Sequence, residues 1–217
     1  MASQTIENYL KALYNLSNDV DEINVTDLAN SMDVSLPSVN SMVKKLAKMG
    51  LILYEKYKPL QITELGKKEA ALIIRKHRLT EMYLVEKMGF GWDEVHHIAE
   101  HIEHLKSPEF FDRVDELLGF PTHDPHGSPI PDKNGQFESM DLQKLSDCKV
   151  GDKVVVKALG HTSEEFLKFL NSKEFTLNLE LKIIAVESFD NSMTLAYDGH
   201  PEEVFSEKVC EKLLVKV

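Results

Sequence analysis

Residues 26–62 read TDLANSMDVSLPSVNSMVKKLAKMGLILYEKYKPLQI. The middle of this stretch has apolar residues at helical spacing, namely Val39, Met42, Val43 and Leu46. Pro37 suits the first turn of that helix and Gly50 its end, and Thr26 is expected to N-cap a short helix before it. Residues 51–54 and 60–62 have the pattern of two short strands joined by a tip. Two helices joined by a tight turn and followed by a hairpin predict a winged helix-turn-helix unit.

The second helix of such a unit enters the major groove of DNA with its N-terminal residues at the base edges. In this chain those positions are Ser35, Pro37, Ser38 and Ser41. Hydroxyl groups can bond base edges, and a proline ring can contact a thymine methyl group. Contacts to phosphates are expected from five lysines: Lys44, Lys45, Lys48, Lys56 and Lys58. The alternative is a helical hairpin with a solvated lysine face.

The net charge of the chain is −11, from 25 basic and 36 acidic residues, which by itself argues against a nucleic-acid partner. The distribution of the charge reverses this argument. Residues 1–75 are neutral overall, so all the excess negative charge follows residue 75. The segment from Ser35 to Lys58 contains these five lysines and a single acidic residue, Glu55. A locally basic segment in an acidic protein is compatible with binding DNA.

The rest of the chain predicts helices and then a β-rich region. Helical patterns cover a segment from residue 63 or 64 to about 88, a segment from 92 or 93 to just before 108, and 108–118. A linker, FPTHDPHGSPIPDKNG (residues 120–135), contains four of the eight prolines. Strands are then expected at 153–159, 179–186, 193–196 and 213–217, with one helix that begins at a capping box over Thr162–Glu165. We therefore expect domains at residues 1–63, 64–140 and 141–217.

Residues 94–105, EVHHIAEHIEHL, carry a candidate metal site. On a helix, four metal-binding side chains form one stripe: His96, Glu100, Glu103 and His104. His77 and Glu81 share a face of the preceding helix because they are four residues apart. Imidazole and carboxylate ligands without thiolate suit Mn²⁺, Fe²⁺ or Zn²⁺, and the oxygen-rich balance favours Mn²⁺ or Fe²⁺. The alternative is a solvated surface of histidine and glutamate.

The same helix contains a second pattern. His97, Glu100 and His101 spell H-x-x-E-H, the inverted zinc-peptidase motif, which would make the chain a zinc hydrolase. That enzyme needs a further carboxylate ligand and a substrate cleft, and a five-residue pattern arises easily by chance in a histidine-rich helix. We expect no enzyme. A regulator that ignores metal is a third alternative.

The compartment is expected to be the cytoplasm. The sequence has no apolar run long enough to cross a bilayer and no signal-peptide pattern at residues 1–16, so we expect no membrane partner. The two cysteines, Cys148 and Cys210, form no disulfide framework.

Five segments resemble the diphtheria-toxin-repressor and manganese-transport-regulator family of metal-dependent transcriptional repressors. They are TIENYLKALYNL (5–16), SLPSVNSMVKKLAKMGLI (35–52), RKHRLTEMYL (75–84), EVHHIAEHIEHL (94–105) and PHGSPIP (125–131). The resemblance covers about residues 4–135, and VGDKVVV (150–156) is similar to the SH3-like domain of longer members. The implied fold is mainly α with small β: a winged helix-turn-helix domain, a helical dimerisation and metal-binding domain, and an SH3-like β-barrel domain.

The resemblance also implies two groups of metal ligands. The first group is Asn8, Glu100, Glu103 and His104. The second group is His77, Glu81 and His96, with Asp124 and His126 from the linker. The iron-sensing branch has Cys at the position of Glu100, so Glu100 indicates the manganese branch, although that branch usually has Asp where this chain has Asn8. Lys11 stands where some manganese regulators have a Glu ligand, and the SH3-like domain is expected to add an oxygen ligand near Thr162–Glu165.

The function implied is a metal-dependent repressor of metal-uptake genes that binds a pseudo-palindromic double-stranded DNA operator as a homodimer. Mn²⁺ is the favoured metal, Fe²⁺ is the alternative, and other divalent transition metals would bind in vitro. Metal would tie the first helix, through Asn8, to the helix that bears Glu100, and so favour the state that binds DNA.

Overall fold

The computed structural model describes residues 3–160 and 162–217, except for the side chain of Asp19. These residues form two compact units. The first contains the residues up to Thr80 together with Ala99–Phe120 and Ile130–Glu138, and the second contains Glu81–Ile98, Pro121–Pro129 and Ser139–Val217. Among the described helices, none combines the length and the apolar character that crossing a membrane requires.

The first unit begins with the winged helix-turn-helix that the sequence predicts. Its elements are α1 (Gln4–Asp19), α2 (Val25–Met32), α3 (Leu36–Lys48), β1 (Ile52–Leu53) and β2 (Gln61–Ile62). The two strands are antiparallel, with Ile52 opposite Ile62. The apolar residues that recur at helical spacing form the core, in which Leu10, Leu13, Leu28, Val39, Val43 and Leu46 are fully buried.

The predicted start of α2 is wrong. The N-cap of α2 is Asn24 and not Thr26, because the backbone N–H of Asn24 donates to the carboxylate of Asp27 at 2.8 Å. This arrangement is one half of a capping box, and it begins the helix two residues early.

Three further helices follow: α4 (Glu64–Met88), α5 (His96–Ile102) and α6 (Pro108–Leu117). The prediction for α5 was too long, since the helix has only seven residues. A tight turn precedes it, in which the backbone N–H of Gly91 donates to the Glu94 carboxylate and the N–H of Glu94 to the Gly91 carbonyl. This local bonding competes with a helical start at residue 92 or 93.

The described part of the second unit is built on a six-stranded antiparallel sheet of strand order β3-β8-β4-β5-β6-β7. The strands are β3 (Gln143–Lys144), β4 (Lys153–Leu159), β5 (Glu180–Val186), β6 (Met193–Tyr197), β7 (His200–Phe205) and β8 (Leu213–Lys216). Alternate residues of β4, β5 and β6 enter one core with α7 (Glu164–Ser172), and a short α8 (Glu207–Cys210) precedes β8. The N-cap of α7 is Ser163, one residue after the predicted Thr162.

Candidate metal centres and nucleic-acid surface

The N-terminal end of α3 presents the residues predicted to read bases. Ser35 is the N-cap of α3, and its hydroxyl lies 2.9 Å from that of Ser38. Pro37 occupies the first turn, and all four predicted base-reading residues, which include Ser41, are exposed. Small, exposed polar groups at a helix N-terminus can approach base edges closely.

The predicted phosphate-binding lysines are also exposed. Lys44, Lys45 and Lys48 lie on α3, which has no acidic residue, so this helix presents only positive charge. On the wing, Lys58 is paired with Glu55 at 2.7 Å, and Lys56 lies over the ring of Tyr57 at 4.6 Å. Tyr57, which the sequence reasoning missed, is 92% exposed at the tip of the wing. Its position between two lysines was the available signal.

Part of the second ligand group is assembled in the second unit, and we call Glu81, His96, Asp124 and His126 the Glu81 cluster. Nδ1 of His96 lies 3.2 Å from one carboxylate oxygen of Glu81, and Nδ1 of His126 lies 3.7 Å from the other. Ligand atoms of Glu81, Asp124 and His126 all lie within 4.8 Å of one another, and these three residues are buried. His77 lies one helical turn before Glu81 on α4 and is also buried.

The backbone of the linker fixes Asp124 and His126. One carboxylate oxygen of Asp124 accepts hydrogen bonds from the backbone N–H groups of His126 (2.8 Å) and Ser128 (2.9 Å). Gly127 has φ +83°, and a Cβ there would lie 2.1 Å from the carbonyl oxygen of Lys157 on β4. This position therefore requires glycine, both for its backbone angle and for the close approach to the strand.

A hydrogen bond orients the His126 ring. Nε2 of His126 lies 2.9 Å from the carbonyl oxygen of Trp92, which can only accept, so Nε2 carries the proton. In the neutral ring, Nδ1 then faces Glu81 and its lone pair can bind a metal, as is usual for metal-binding histidines. Burial lowers the pKa of His126, but the carboxylates of Glu81 and Asp124 outweigh burial and raise that pKa above its ordinary value.

The Glu81 cluster fits a divalent cation. Hard cations bind oxygen at about 2.0–2.6 Å, so two ligands of one ion lie within roughly 5 Å of each other, and the ligand atoms of Glu81, Asp124 and His126 are all within that range. Two buried carboxylates carry two negative charges that a divalent ion would balance. Carboxylate oxygen with imidazole nitrogen suits Mn²⁺ or Fe²⁺.

The first ligand group, in the first unit, has a different arrangement. Glu103 is completely buried, and Nζ of Lys11 donates to both of its carboxylate oxygens, at 2.7 and 2.9 Å. Nδ1 of His77 lies 2.5 Å from the Glu103 carboxylate, and Nζ of Lys11 lies 3.8 Å from Glu100. Burial raises the pKa of Glu103, but the hydrogen bond from His77 and the charge of Lys11 outweigh burial and lower that pKa below its ordinary value.

The other members of the first group lie around a shallow cavity of about 280 Å³. Its lining residues are Gln4, Asn8, Glu100, His101 and His104. Nδ1 of His104 lies 2.6 Å from the carboxylate of Glu7, an interaction that the sequence reasoning missed. Asn8, Glu100 and His104 thus share one cavity, while the Glu103 carboxylate is occupied by Lys11. With an ammonium group in contact with both Glu103 oxygens, this arrangement does not fit a divalent ion.

The hydrolase pattern is not assembled into a metal site. His97, Glu100 and His101 are exposed on α5. In the described ranges, 3–160 and 162–217, the groups of three ligand atoms close enough to share a metal ion include neither His97 nor His101. These groups do not include Glu164 or Glu165 of the SH3-like domain either.

The family models match the chain in three consecutive segments. Residues 1–60 match the iron-dependent repressor N-terminal DNA-binding domain, and residues 63–132 match the iron-dependent repressor metal-binding and dimerisation domain. Residues 143–217 match the FeoA domain, which agrees with the predicted SH3-like domain.

Individual relatives agree with these matches. The iron-dependent repressor IdeR of Mycobacterium tuberculosis is 37% identical over 131 residues, which are 58% of this chain and 55% of that protein, so the chain spans about half the length of this relative. The transcriptional regulator MntR of Geobacillus thermodenitrificans is 32% identical over 55% of this chain and 84% of that protein. The solved structure of a manganese-dependent transcriptional repressor in complex with manganese is 30% identical, with a TM-score of 0.89 over 97% of this chain and 98% of that one. The chain therefore belongs to the iron-dependent repressor family, whose diphtheria-toxin-repressor and manganese-regulator members its sequence resembles.

Proposed function

We propose that the chain is a DNA-binding transcriptional repressor that divalent metal activates, with Mn²⁺ as the favoured metal. The observation that carries this proposal is the Glu81 cluster, in which Glu81, Asp124 and His126 are buried and His96 is exposed, in a chain that also has a winged helix-turn-helix whose α3 contains no acidic residue. A solved relative is manganese-dependent, which supports Mn²⁺, and another relative is iron-dependent, which supports Fe²⁺ as the alternative.

The residues that would hold the metal are Glu81, His96, Asp124 and His126, with His77 as a further candidate. A bound divalent ion would be attracted by the negative charge of the two buried carboxylates. Glu81 brings α4 to the cluster, and the hydrogen bonds to Asp124 hold the linker in its turn. The bond from Nε2 of His126 to Trp92 keeps Nδ1 directed at Glu81. The first group, Asn8, Glu100, Glu103 and His104, stays a predicted site that Lys11 opposes.

The DNA contacts divide into two kinds. We propose that Ser35, Pro37, Ser38 and Ser41 contact bases and that the five lysines contact phosphates, which position the protein without reading the sequence. One short recognition helix reads few bases, so a homodimer on a pseudo-palindromic operator is the proposed assembly. Exposed apolar residues after α5 and along α6 are the proposed dimer surface: Leu105, Phe110, Leu117 and Phe120.

The proposed targets are metal-uptake genes, because a repressor that metal activates stops uptake when metal is plentiful. The proposed compartment is the cytoplasm, where free thiols such as those of Cys148 and Cys210 persist. We assign no catalytic residue.

The test is a titration of DNA binding against Mn²⁺, Fe²⁺ and Zn²⁺, with and without a chelator. We expect Mn²⁺ to strengthen operator binding at a lower free concentration than Fe²⁺ or Zn²⁺ does. We expect the chelator to reverse this effect. Binding that the chelator leaves unchanged would favour the metal-independent regulator. Zinc content together with peptidase activity would favour the hydrolase.

A further inference from the structure

The contact between Lys11 and Glu103 joins residues 92 positions apart in the first unit. The Glu103 side chain is fully buried, and only 16% of the Lys11 side chain is exposed. The ammonium group contacts both carboxylate oxygens, at 2.7 and 2.9 Å, and it lies 3.8 Å from Glu100. One positive charge therefore lies between two carboxylates that the sequence assigns to a metal.

The position of the lysine leaves little room for a second cation. An ion bound to a Glu103 oxygen at about 2.0–2.6 Å would lie within a few ångströms of Nζ, and like charges repel strongly at that separation in a buried site. Asn8, in the neighbouring cavity, is neutral and adds no charge to attract the ion. The surroundings of Glu103 thus favour a single positive charge that the chain itself supplies.

We propose that Lys11 acts as a built-in cation that replaces the metal ion at the first ligand group. The lysine then holds α1 to the segment after α5 whether or not metal is present. The metal-responsive site is the Glu81 cluster alone, and the protein binds one divalent ion per protomer. The inference rests on the proposed function, because it assigns the metal response of that function to one of the two ligand groups.

The alternative is that Lys11 swings away when metal arrives and that Glu103 then binds the ion. Both possibilities keep the ion pair in the metal-free chain, but they differ in how many metal ions the full-length protein binds and in which carboxylates bind them. Stoichiometry therefore separates them without any measurement of DNA binding.

The test is equilibrium dialysis of the full chain against Mn²⁺, followed by metal analysis. We expect the wild type to bind about one Mn²⁺ per protomer. Asp124→Asn should lower the affinity for this ion by at least about tenfold, and Glu103→Gln should leave the ion bound. Lys11→Glu should bind about two, and the added ion should disappear when Glu103→Gln is combined with it. The matched control is Lys67→Glu, which changes an exposed lysine paired with Glu64 at 2.8 Å and should leave the stoichiometry at one.

Two ions in the wild type, one of them removed by Glu103→Gln, would overturn the proposal. A Lys11→Glu chain with a wild-type circular dichroism spectrum and still only one ion would overturn it as well. If Lys11→Glu does not fold, the proposal is tested instead with Lys11→Gln and with the comparison of Asp124→Asn and Glu103→Gln, each made in the wild-type chain. A third outcome is that the wild type binds no Mn²⁺ while Lys11→Glu gains one ion at Glu103. This result would support the role of Lys11 and would refute the proposed function.

Discussion

Replacing Lys11 with methionine should destabilise the chain strongly, because it leaves the buried carboxylate of Glu103 without its main counter-charge. Removing one partner of a buried ion pair costs about 3–5 kcal/mol. His77 still contacts Glu103 at 2.5 Å, so we expect the lower end of that range, about 3 kcal/mol. For a chain of this length, the loss corresponds to a fall in Tm of roughly 6–12 °C.

The assay is urea denaturation of the metal-free protein with chelator present, in which the midpoint should fall while the m-value stays constant. Lys67→Met is the matched control, and it should change stability by less than about 1 kcal/mol because its pair with Glu64 is exposed. Adding Glu103→Gln to Lys11→Met should recover part of the loss, since the unpaired charge is then gone. A loss below about 1 kcal/mol for Lys11→Met would refute the idea that Lys11 neutralises Glu103.

Three other predictions concern the linker, the DNA surface and pH. Gly127→Ala should weaken Mn²⁺ binding by about 10–100-fold in equilibrium dialysis, because its Cβ would press on the Lys157 carbonyl and displace the linker turn that lies against β4; unchanged affinity would contradict the role of this turn. Lys45→Ala should lower the salt slope of DNA binding by roughly one unit, whereas Ser38→Ala should alter sequence preference and not the slope; equal slopes for both variants would count against the phosphate contact. Mn²⁺ binding should tighten as pH rises through the pKa of His126, which is raised above its ordinary value of about 6.5, because the proton competes with the metal. His126→Gln should flatten this pH dependence, and a wild type whose Mn²⁺ affinity does not change with pH would exclude His126 as a ligand.

Much of the fold follows from local patterns in the sequence. Helix α4, Glu64–Met88, agrees with the predicted start at residue 63 or 64 and end near residue 88, since a long periodic helix leaves little ambiguity. Strand β7 was missed because HPEEVF is polar, begins next to a proline and lies at the edge of the sheet, where burial does not impose alternation. The start of α5 was missed because the bonds between Gly91 and Glu94 form a turn that competes with the helix.

The candidate sites depend on contacts that sequence spacing does not encode. Glu81 and His126 are 45 positions apart, so only the resemblance suggested that they belong to one group. The contact of Lys11 with Glu103 crosses 92 positions. The resemblance places Lys11 where some manganese regulators have a Glu ligand, but its partner is known only from the packing of α1 against the segment after α5.

The most direct test of the central claim, that the Glu81 cluster controls DNA binding, compares Asp124→Asn with Asp132→Asn. Asp132 is a suitable control because its carboxylate also accepts backbone bonds in a turn of the linker, from Asn134 and Gln136 at 2.8 Å, outside the cluster. The measurement is the free Mn²⁺ concentration at half-maximal operator binding, at fixed salt. We predict that Asp124→Asn raises this concentration by at least about tenfold and that Asp132→Asn leaves it unchanged. Equal midpoints for the two variants and the wild type would contradict the claim.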